Sequence, residues 1–218
     1  MAVTIFDLDN TLLGGDSDHA WGEFACEQGL ADATSFGRAN DAFYADYQAG
    51  TLDIHAYLRH ALSPIAGMTL EEAASWHRRF MQAKIEPMLL PAAMRLIERH
   101  RDAGDTLLIV TATNRFITEP IAQRLGIPDL LACDVEVVAG RYTGQPRGTP
   151  TFAAGKVHRL EEWLAARGLD LQGSTAYSDS FNDIPLLEAA ETAVAVDPDA
   201  KLAAHAEANG WQVISLRQ

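Results

Sequence analysis

The first residues that could do chemistry are two aspartates, Asp7 and Asp9, which directly follow a short apolar segment. That segment, Val3-Thr4-Ile5-Phe6, is typical of a strand buried on both faces of a sheet. Two carboxylates just beyond such a strand point the same way if the chain leaves the pleat there, and they could then bind a metal ion or transfer protons. Solvated acids in a turn would give the same pattern.

A second pair of acids, Asp179 and Asp183, follows the predicted strand 175–178 and precedes a predicted helix. Four carboxylates at two strand ends would form an oxygen-rich environment suited to Mg²⁺. The alternative is structural: Asp179 or Ser180 caps the helix, and Asp183 lies in its first turn.

Two further side chains are suited to binding an anion. Thr111 follows the apolar segment 108–110, and its hydroxyl and the neighbouring backbone amides could hold a phosphoryl oxygen. Lys156 lies at the start of a predicted helix, where a cation is unfavourable for the helix dipole, which hints at another role. A turn threonine and a surface lysine are the alternatives.

The elements that position these residues are of two kinds. After Pro87 strands alternate with helices, the arrangement typical of a doubly wound, mostly parallel sheet in an α/β protein. Residues 16–87 show helical periodicity and no strand. We therefore predict a catalytic core of residues 1–15 and 88–218, with 16–87 as an all-helical cap, or lid, over the edge of the sheet where such proteins bind ligands. Aromatic residues of this insert are expected in the core of the lid: Trp21, Phe24, Phe43, Tyr44 and Tyr47.

Taken together, the four segments resemble the motifs of the haloacid dehalogenase superfamily. The order is an aspartate pair after the first strand, a threonine after another strand, a lysine and a further aspartate pair: Asp7 and Asp9, Thr111, Lys156, Asp179 and Asp183. The resemblance covers essentially the whole chain, and the helical insert is similar to the cap of the phosphoserine phosphatase-like branch. The second acid of the first pair is typical of phosphate ester chemistry, so the resemblance implies a phosphatase.

The resemblance also implies a role for each catalytic residue. Asp7 would attack phosphorus and form an aspartyl-phosphate. Asp9 would protonate the leaving alcohol and then activate water. Thr111 would donate a hydrogen bond to the transferred phosphoryl group, and Lys156 would neutralise its charge.

A Mg²⁺ cofactor and a set of binding residues are implied in the same way. The predicted metal site comprises Asp7, Asp9 through its backbone carbonyl, Asp179, and Asp183 as an outer acid that holds Lys156 or a metal-bound water. Substrate contacts are predicted for Asp16, Thr113 and Asn182.

The lid is expected to recognise the leaving group. Asp16 aligns with an acid that suits the substrate ammonium in the phosphoserine enzymes, but their carboxylate-binding arginine would fall near Ala61, two residues from Arg59. Asp16 and Asp18 without that arginine favour a cationic leaving group that has no carboxylate. The stretch 15–18 also resembles a bacterial subgroup that includes histidinol-phosphate phosphatases. We expect an amino-alcohol or amino-acid phosphate, with histidinol phosphate favoured over phosphoserine; the alternative is that both acids only cap the first lid helix.

Composition limits the partners. The 218 residues include 17 Lys+Arg against 30 Asp+Glu, a formal net charge of -13. This acidic surplus argues against nucleic acid or an anionic membrane surface as a partner, and no apolar run approaches the roughly 20 residues of a membrane span. Cys26 and Cys133 match neither a disulfide framework nor a metal-ligand spacing, so we predict the cytoplasm. The resemblance implies a small phosphorylated metabolite as the partner. The sequence makes no prediction of the oligomeric state.

Two other functions share these motifs. A phosphotransferase would pass the phosphoryl group from the aspartyl-phosphate to an alcohol acceptor rather than to water. A non-catalytic regulator would use the same fold to bind Mg²⁺ or phosphate, although the retention of all six motif residues argues against it.

Overall fold

The structure is a computed structural model that describes residues 2–217. Within these residues a seven-stranded sheet has the order β4-β3-β2-β1-β5-β6-β7. Its strands are β1 (Val3–Phe6), β2 (Thr106–Asn114), β3 (Asp129–Val138), β4 (Arg141–Arg147), β5 (Thr175–Ser178), β6 (Thr192–Val196) and β7 (Gln212–Ile214). Neighbours are parallel except β3 and β4, which form an antiparallel hairpin at one edge. The predicted doubly wound, mostly parallel α/β fold is confirmed. Residues 1 and 218, the outer limits of the predicted core, lie outside the described residues.

Strand β1 lies at the centre of the sheet, between β2 and β5. All four of its residues are buried, which is why apolar and β-branched side chains fill it. Phe6 pairs with Tyr177 of β5, and the N–H of Asp7 donates to the Tyr177 carbonyl at 2.9 Å. The residues that follow β1 and β5 are therefore neighbours at one edge of the sheet.

Between β1 and β2 the chain is helical. Four α-helices come first and a fifth leads into β2: α1 (Ser17–Glu27), α2 (Ser35–Ala49), α3 (Ile54–Leu62), α4 (Leu70–Phe80) and α5 (Pro91–Asp102). Helix α4 begins with a capping box, in which the Thr69 hydroxyl accepts from the Glu72 N–H at 3.2 Å and the Thr69 N–H donates to the Glu72 carboxylate at 2.8 Å. The rest of the chain supplies α6 (Arg115–Leu125), α7 (Ala154–Arg167), α8 (Ile184–Ala189) and α9 (Ala200–Asn209).

One apolar cluster runs from the sheet into the helical insert. Phe6 and Ile109 of the sheet belong to the same buried cluster as Trp21 and Phe24 of α1 and Phe80 of α4. The predicted core positions of Trp21 and Phe24 are thus confirmed. Helices α1 and α4 are anchored to the core by this cluster, and Leu62 at the end of α3 also belongs to it, whereas α2 contributes none of its buried residues. The limits 16–87 of a separate lid stay a prediction.

Strand β2 is longer than its apolar segment. It continues past Val110 to Asn114, which pairs with Cys133 of β3 after a shift in register. Thr111 therefore lies within the strand rather than after it, and Thr111 and Thr113 are on the same face because side chains alternate along a strand.

Two further predictions concern the cysteines and the absence of a membrane span. Cys26 and Cys133 are both free thiols, and burial raises the pKa of Cys133 to about 12, so that thiol stays protonated. In residues 2–217 no helix has the length and apolar character needed to cross a membrane.

Candidate active site

Lys156 joins two carboxylates from different parts of the chain. Its Nζ donates to Asp7 Oδ1 at 2.7 Å and to Asp183 Oδ2 at 2.7 Å, and all three side chains are buried. Burial alone lowers the pKa of Lys156, but the charges of Asp183 and Asp7 raise it above its ordinary value. The lysine is therefore a fixed positive charge beside Asp7. Ser178 also donates to Asp183 Oδ2, at 2.7 Å, and holds that acid in place.

Asp7 and Asp179 converge on one hydroxyl group. Thr11 Oγ1 lies 3.2 Å from Asp7 Oδ2 and 3.2 Å from Asp179 Oδ1, and it accepts from the Asp179 N–H at 3.1 Å. The hydroxyl has one hydrogen, so it can serve only one of the two carboxylates at a time. Burial and the charges of Asp7 and Asp183 raise the pKa of Asp179 well above its ordinary value. Burial likewise raises the pKa of Asp7 to about 7, although the charge of Lys156 opposes this.

Both side-chain oxygens of Asp9 accept hydrogen bonds. The Ser17 N–H donates to Oδ1 at 2.7 Å, and Thr113 Oγ1 donates to Oδ2 at 2.8 Å. Burial, followed by the charge of Asp16, raises the pKa of Asp9 to about 6, and the hydrogen bonds from Ser17 and Thr113 oppose the rise. A carboxyl group held in one orientation with a pKa near neutrality is suited to general acid and base chemistry.

The threonines of β2 lie beside these acids. Thr111 is buried, and its Oγ1 accepts from the Thr113 N–H at 3.1 Å. Both side chains line the same cavity as Asp7 and Asp9. The sequence places Thr113 in contact with substrate, whereas in the structure its hydroxyl is bound to Asp9.

The oxygen atoms available as ligands determine whether the site suits Mg²⁺. Among the described side chains no three of the His, Cys, Asp or Glu type converge to hold a metal ion on their own. Asp7 and Asp179 converge as a pair, both oxygens of the Asp9 side chain are engaged, and Asp183 faces Lys156. Mg²⁺ in phosphoryl-transfer sites takes one or two carboxylates, with waters and substrate oxygens for the rest. A pair of converging carboxylates fits that ion better than a metal that requires an all-protein cage.

Asp16 and Asp18 differ in what they do. Asp16 Oδ1 accepts from the N–H groups of Asp18 and His19 at 2.9 and 2.8 Å and so caps α1. Asp18 is buried in the first turn of α1, with Oδ1 3.5 Å from Asn114 Nδ2. The capping alternative is therefore found for Asp16, and Asp18 is left as a second acid in the cavity.

A cavity between the sheet edge and helices α2 and α3 brings most predicted site residues together. Its lining comprises Asp7, Asp9, Asp16, Asp18, Phe43, Tyr44, Tyr47, Leu52, Ile54, Tyr57, Thr111, Ala112 and Thr113. No arginine or lysine occurs in this lining, as far as the described chain is concerned. Arg59 is exposed and Ala61 is buried, so neither provides a cationic group to the cavity.

The aromatic residues of α2 correct one prediction. Phe43, Tyr44 and Tyr47 line the cavity, so placing them in the core of the lid was wrong. Tyr57 of α3 also lines it, and the sequence pattern does not single this residue out. Helical spacing shows which residues share a face but not whether that face meets a core or a cavity, so only the packing of α2 over the sheet could identify them.

Asn182 lies outside the cavity lining. Its side-chain amide is 3.5 Å from the carbonyl oxygen of Tyr47, so it connects the segment after β5 to α2. Its predicted contact with substrate stays a prediction.

The fold and the site together define a class. A doubly wound sheet that presents aspartates at the ends of its central strands, beside a buried lysine, is suited to phosphoryl transfer. The chain belongs to the haloacid dehalogenase-like hydrolase family, whose model matches residues 4–188.

Similar proteins narrow the activity. The chain is 45% identical over 219 residues to a histidinol-phosphatase of Neisseria meningitidis, covering 99% of each chain. It is 33% identical over 224 residues to a phosphoserine phosphatase of Mycobacterium tuberculosis, covering 99% of this chain and 71% of the relative. A crystal structure of a protein of unknown function from Bordetella pertussis matches with a TM-score of 0.92 and 43% identity, covering 99% of this chain and 98% of the other. The prediction of a phosphatase of this family is confirmed, and the non-catalytic alternative is not supported.

Proposed function

We propose that the protein is a Mg²⁺-dependent phosphatase that hydrolyses histidinol phosphate through an aspartyl-phosphate on Asp7. One observation carries the choice of substrate: the cavity beside Asp7 combines Asp16 and Asp18 with aromatic side chains and has no described basic residue in its lining. Such a cavity suits a leaving group that is cationic and aromatic and that lacks a carboxylate. The similarity to the histidinol-phosphatase of N. meningitidis supports the same choice.

In the first half of the reaction, a carboxylate oxygen of Asp7 attacks phosphorus as the bond to the leaving alcohol oxygen breaks. Asp9 gives its proton to that oxygen. In the second half, Asp9 removes a proton from water, whose oxygen attacks phosphorus while the bond to Asp7 breaks, so inorganic phosphate is released. Its two hydrogen bonds keep Asp9 oriented for both transfers.

The remaining residues compensate for the negative charge of the phosphoryl group and of the carboxylates around it. Lys156 lies against Asp7 and balances negative charge that is brought into a buried site. Thr111 lies in the cavity wall, where its hydroxyl can reach a phosphoryl oxygen. Mg²⁺, held by Asp7, Asp179 and the backbone carbonyl of Asp9, would neutralise phosphoryl oxygens and permit several carboxylates to stay ionised together. Asp183 would act from outside this set, through Lys156.

Phosphoserine is the nearest alternative substrate because of the mycobacterial relative. Its carboxylate would enter a cavity where Asp16 and Asp18 repel it and where no described arginine compensates.

The lid role of residues 16–87 also belongs to this proposal, since α2 and α3 cover the cavity and must move for substrate to enter. The free thiols accord with the cytoplasmic location proposed from the sequence.

The test is phosphate release from histidinol phosphate and from phosphoserine with and without MgCl₂, using Asp7→Asn as the blank. We expect a higher kcat/KM for histidinol phosphate, no activity in Asp7→Asn and loss of activity in EDTA. A preference for phosphoserine would overturn the substrate, and undiminished activity of Asp7→Asn would overturn the nucleophile.

Product analysis addresses the phosphotransferase alternative. The aspartyl-phosphate is common to both reactions, so only its acceptor differs. The reaction is run with and without a high concentration of homoserine, and the products are separated. We expect inorganic phosphate as the product in both cases; a new phosphate ester would show that an alcohol competes with water.

A further inference from the structure

Asp18 has a carboxylate oxygen that the fold does not use. The residue is 3% exposed, and its buried Oδ2 has no donor in good hydrogen-bond geometry among residues 2–217, although the Tyr57 hydroxyl lies close to the carboxylate. The other oxygen, Oδ1, accepts from Asn114 Nδ2 at 3.5 Å, which is a long hydrogen bond. The side chain is part of the cavity wall. A buried carboxylate oxygen without a partner is unfavourable, so a group that enters the cavity could compensate for it.

The cap of α1 does not explain Asp18. Asp16 already accepts from the two free N–H groups at the start of the helix, those of Asp18 and His19. An uncharged residue at position 18 would leave this cap intact. The favourable interaction of Asp18 with the helix dipole is smaller than the cost of removing a charged carboxylate from water, so the helix alone does not account for this acid.

The position of Asp18 places it on the leaving-group side of the reaction. The backbone N–H of Ser17, its neighbour in sequence, holds Asp9 Oδ1 at 2.7 Å. Asp9 is the residue that would donate a proton to the departing oxygen. Phe43 and Tyr57 line the same cavity from α2 and α3. Burial and the charge of Asp18 raise the pKa of Tyr57, and a hydrogen bond to Asp18 raises it further, so the protonated hydroxyl faces the acid. A carboxylate has about four lone-pair sites, so Asp18 can accept from a further donor in the cavity.

We infer that Asp18 selects the leaving group, by accepting a hydrogen bond from a cationic nitrogen of the alcohol while Phe43 and Tyr57 contact the rest of it. The ligand class is a phosphomonoester of an alcohol that carries an ammonium or imidazolium group. The aromatic faces add a favourable contact to a cation or to a ring. This inference rests on the proposed phosphatase function and adds the residue that would determine its specificity.

The test compares Asp18→Asn with the wild-type protein on two esters in MgCl₂. Histidinol phosphate carries the cationic nitrogen, and phenyl phosphate is aromatic without one. We expect kcat/KM for histidinol phosphate to fall by about 10- to 100-fold, the loss typical of a buried hydrogen bond to a charged group, and kcat/KM for phenyl phosphate to stay within about twofold. Asp41→Asn is the matched control, because it removes an exposed acid from the same insert.

The outcomes separate this inference from the proposed function. If Asp18→Asn reduces both esters equally, or neither, while Asp7→Asn is inactive, the specificity role is wrong and the phosphatase mechanism stands. If Asp7→Asn retains activity, the mechanism itself is wrong. A second measurement uses only the wild-type protein, in case Asp18→Asn does not fold. Histidinol should inhibit more strongly than 3-phenyl-1-propanol, an aromatic alcohol with neither an amino nor an imidazole group, and equal inhibition would overturn the role of Asp18.

Discussion

Thr113 donates a hydrogen bond of 2.8 Å to Asp9, although the two residues are 104 positions apart in the chain. They meet because β1 and β2 are adjacent parallel strands whose carboxyl ends lie at the same edge of the sheet. The bond favours the ionised form of Asp9, whose pKa burial raises to about 6. Thr113 is therefore a positioning residue for the proposed proton donor.

Thr113→Val is expected to change the pH profile. Without this hydrogen bond the carboxylate of Asp9 is less favoured, so its pKa rises above about 6. Because protonated Asp9 serves the first half of the reaction, the alkaline limb of kcat/KM should move to higher pH, and kcat should fall by about tenfold because orientation is lost. Thr113→Ser should restore both. An unchanged limb in Thr113→Val would contradict the role.

Lys156→Met is expected to lose both activity and stability. The substitution leaves the buried carboxylates of Asp7 and Asp183 without their shared cation. Removing one partner of a buried ion pair typically costs about 3–5 kcal/mol of the free energy of unfolding, measured here by urea denaturation without Mg²⁺. The double variant Lys156→Met/Asp183→Asn should recover part of this stability and no activity. If the double variant is as unstable as the single one, the like-charge explanation fails.

The acidic centre of the site could be predicted from the sequence because its signals are local. Apolar runs ended by aspartates indicated β1 and β5, and the rule that parallel strands present their carboxyl ends together brought Asp7 and Asp179 to one place. The signals that mark each strand end lie within a few residues of one another, and the pairing of β1 with β5 then brings the acids together.

Other features depended on distant contacts. The extension of β2 to Asn114 requires pairing with Cys133, which propensity along β2 does not show. Asp16 and Asp18 are the same residue type two positions apart and both line the cavity, and only the start of α1 shows that Asp16 is the one that caps the helix. The cavity face of α2 depends in the same way on how that helix packs over the sheet.

Asp179→Asn is expected to stabilise the metal-free protein while it abolishes activity. The pKa of Asp179 is raised in the folded state, mainly by burial and then by the charges of Asp7 and Asp183. The folded protein therefore binds more protons than the unfolded one, and stability is lost as pH rises from about 4, the ordinary pKa of aspartate, through the raised pKa of Asp179. Asparagine removes this loss, so Tm at pH 8 should rise by a few degrees, since 1 kcal/mol corresponds to about 2–4 °C in a chain of this size.

The change in Tm on adding MgCl₂ tests whether Asp179 binds the metal ion. If Asp179 binds the ion, MgCl₂ should raise Tm of the wild-type protein and leave Tm of Asp179→Asn nearly unchanged. Glu161→Gln, which removes an exposed acid from α7, should respond to MgCl₂ as the wild type does. Equal Mg²⁺ shifts in all three proteins would contradict a metal role for Asp179.

Gly50 provides a test of how α2 closes over the site. It ends α2 with φ +79°, and a Cβ there would lie 2.8 Å from Phe181 Cζ. The Phe181 ring is in turn covered by the Lys201 ammonium, 3.9 Å from its centroid. Gly50→Ala should therefore cost about 1 kcal/mol of stability from the left-handed backbone and should also push α2 away from the segment after β5. We expect KM to rise several-fold, because the closed cavity forms less readily.

Gly210→Ala separates the two effects of that substitution. Gly210 ends α9 with φ +66°, and a Cβ there would have no neighbouring atom within 4 Å, so alanine carries the backbone cost without the contact. Its stability should fall about as much as that of Gly50→Ala, while its KM should match the wild type. In Gly50→Ala/Phe181→Leu the smaller side chain should return KM towards the wild-type value without restoring stability. Equal KM values for the Gly50 and Gly210 variants would show that contact between α2 and Phe181 does not control closure.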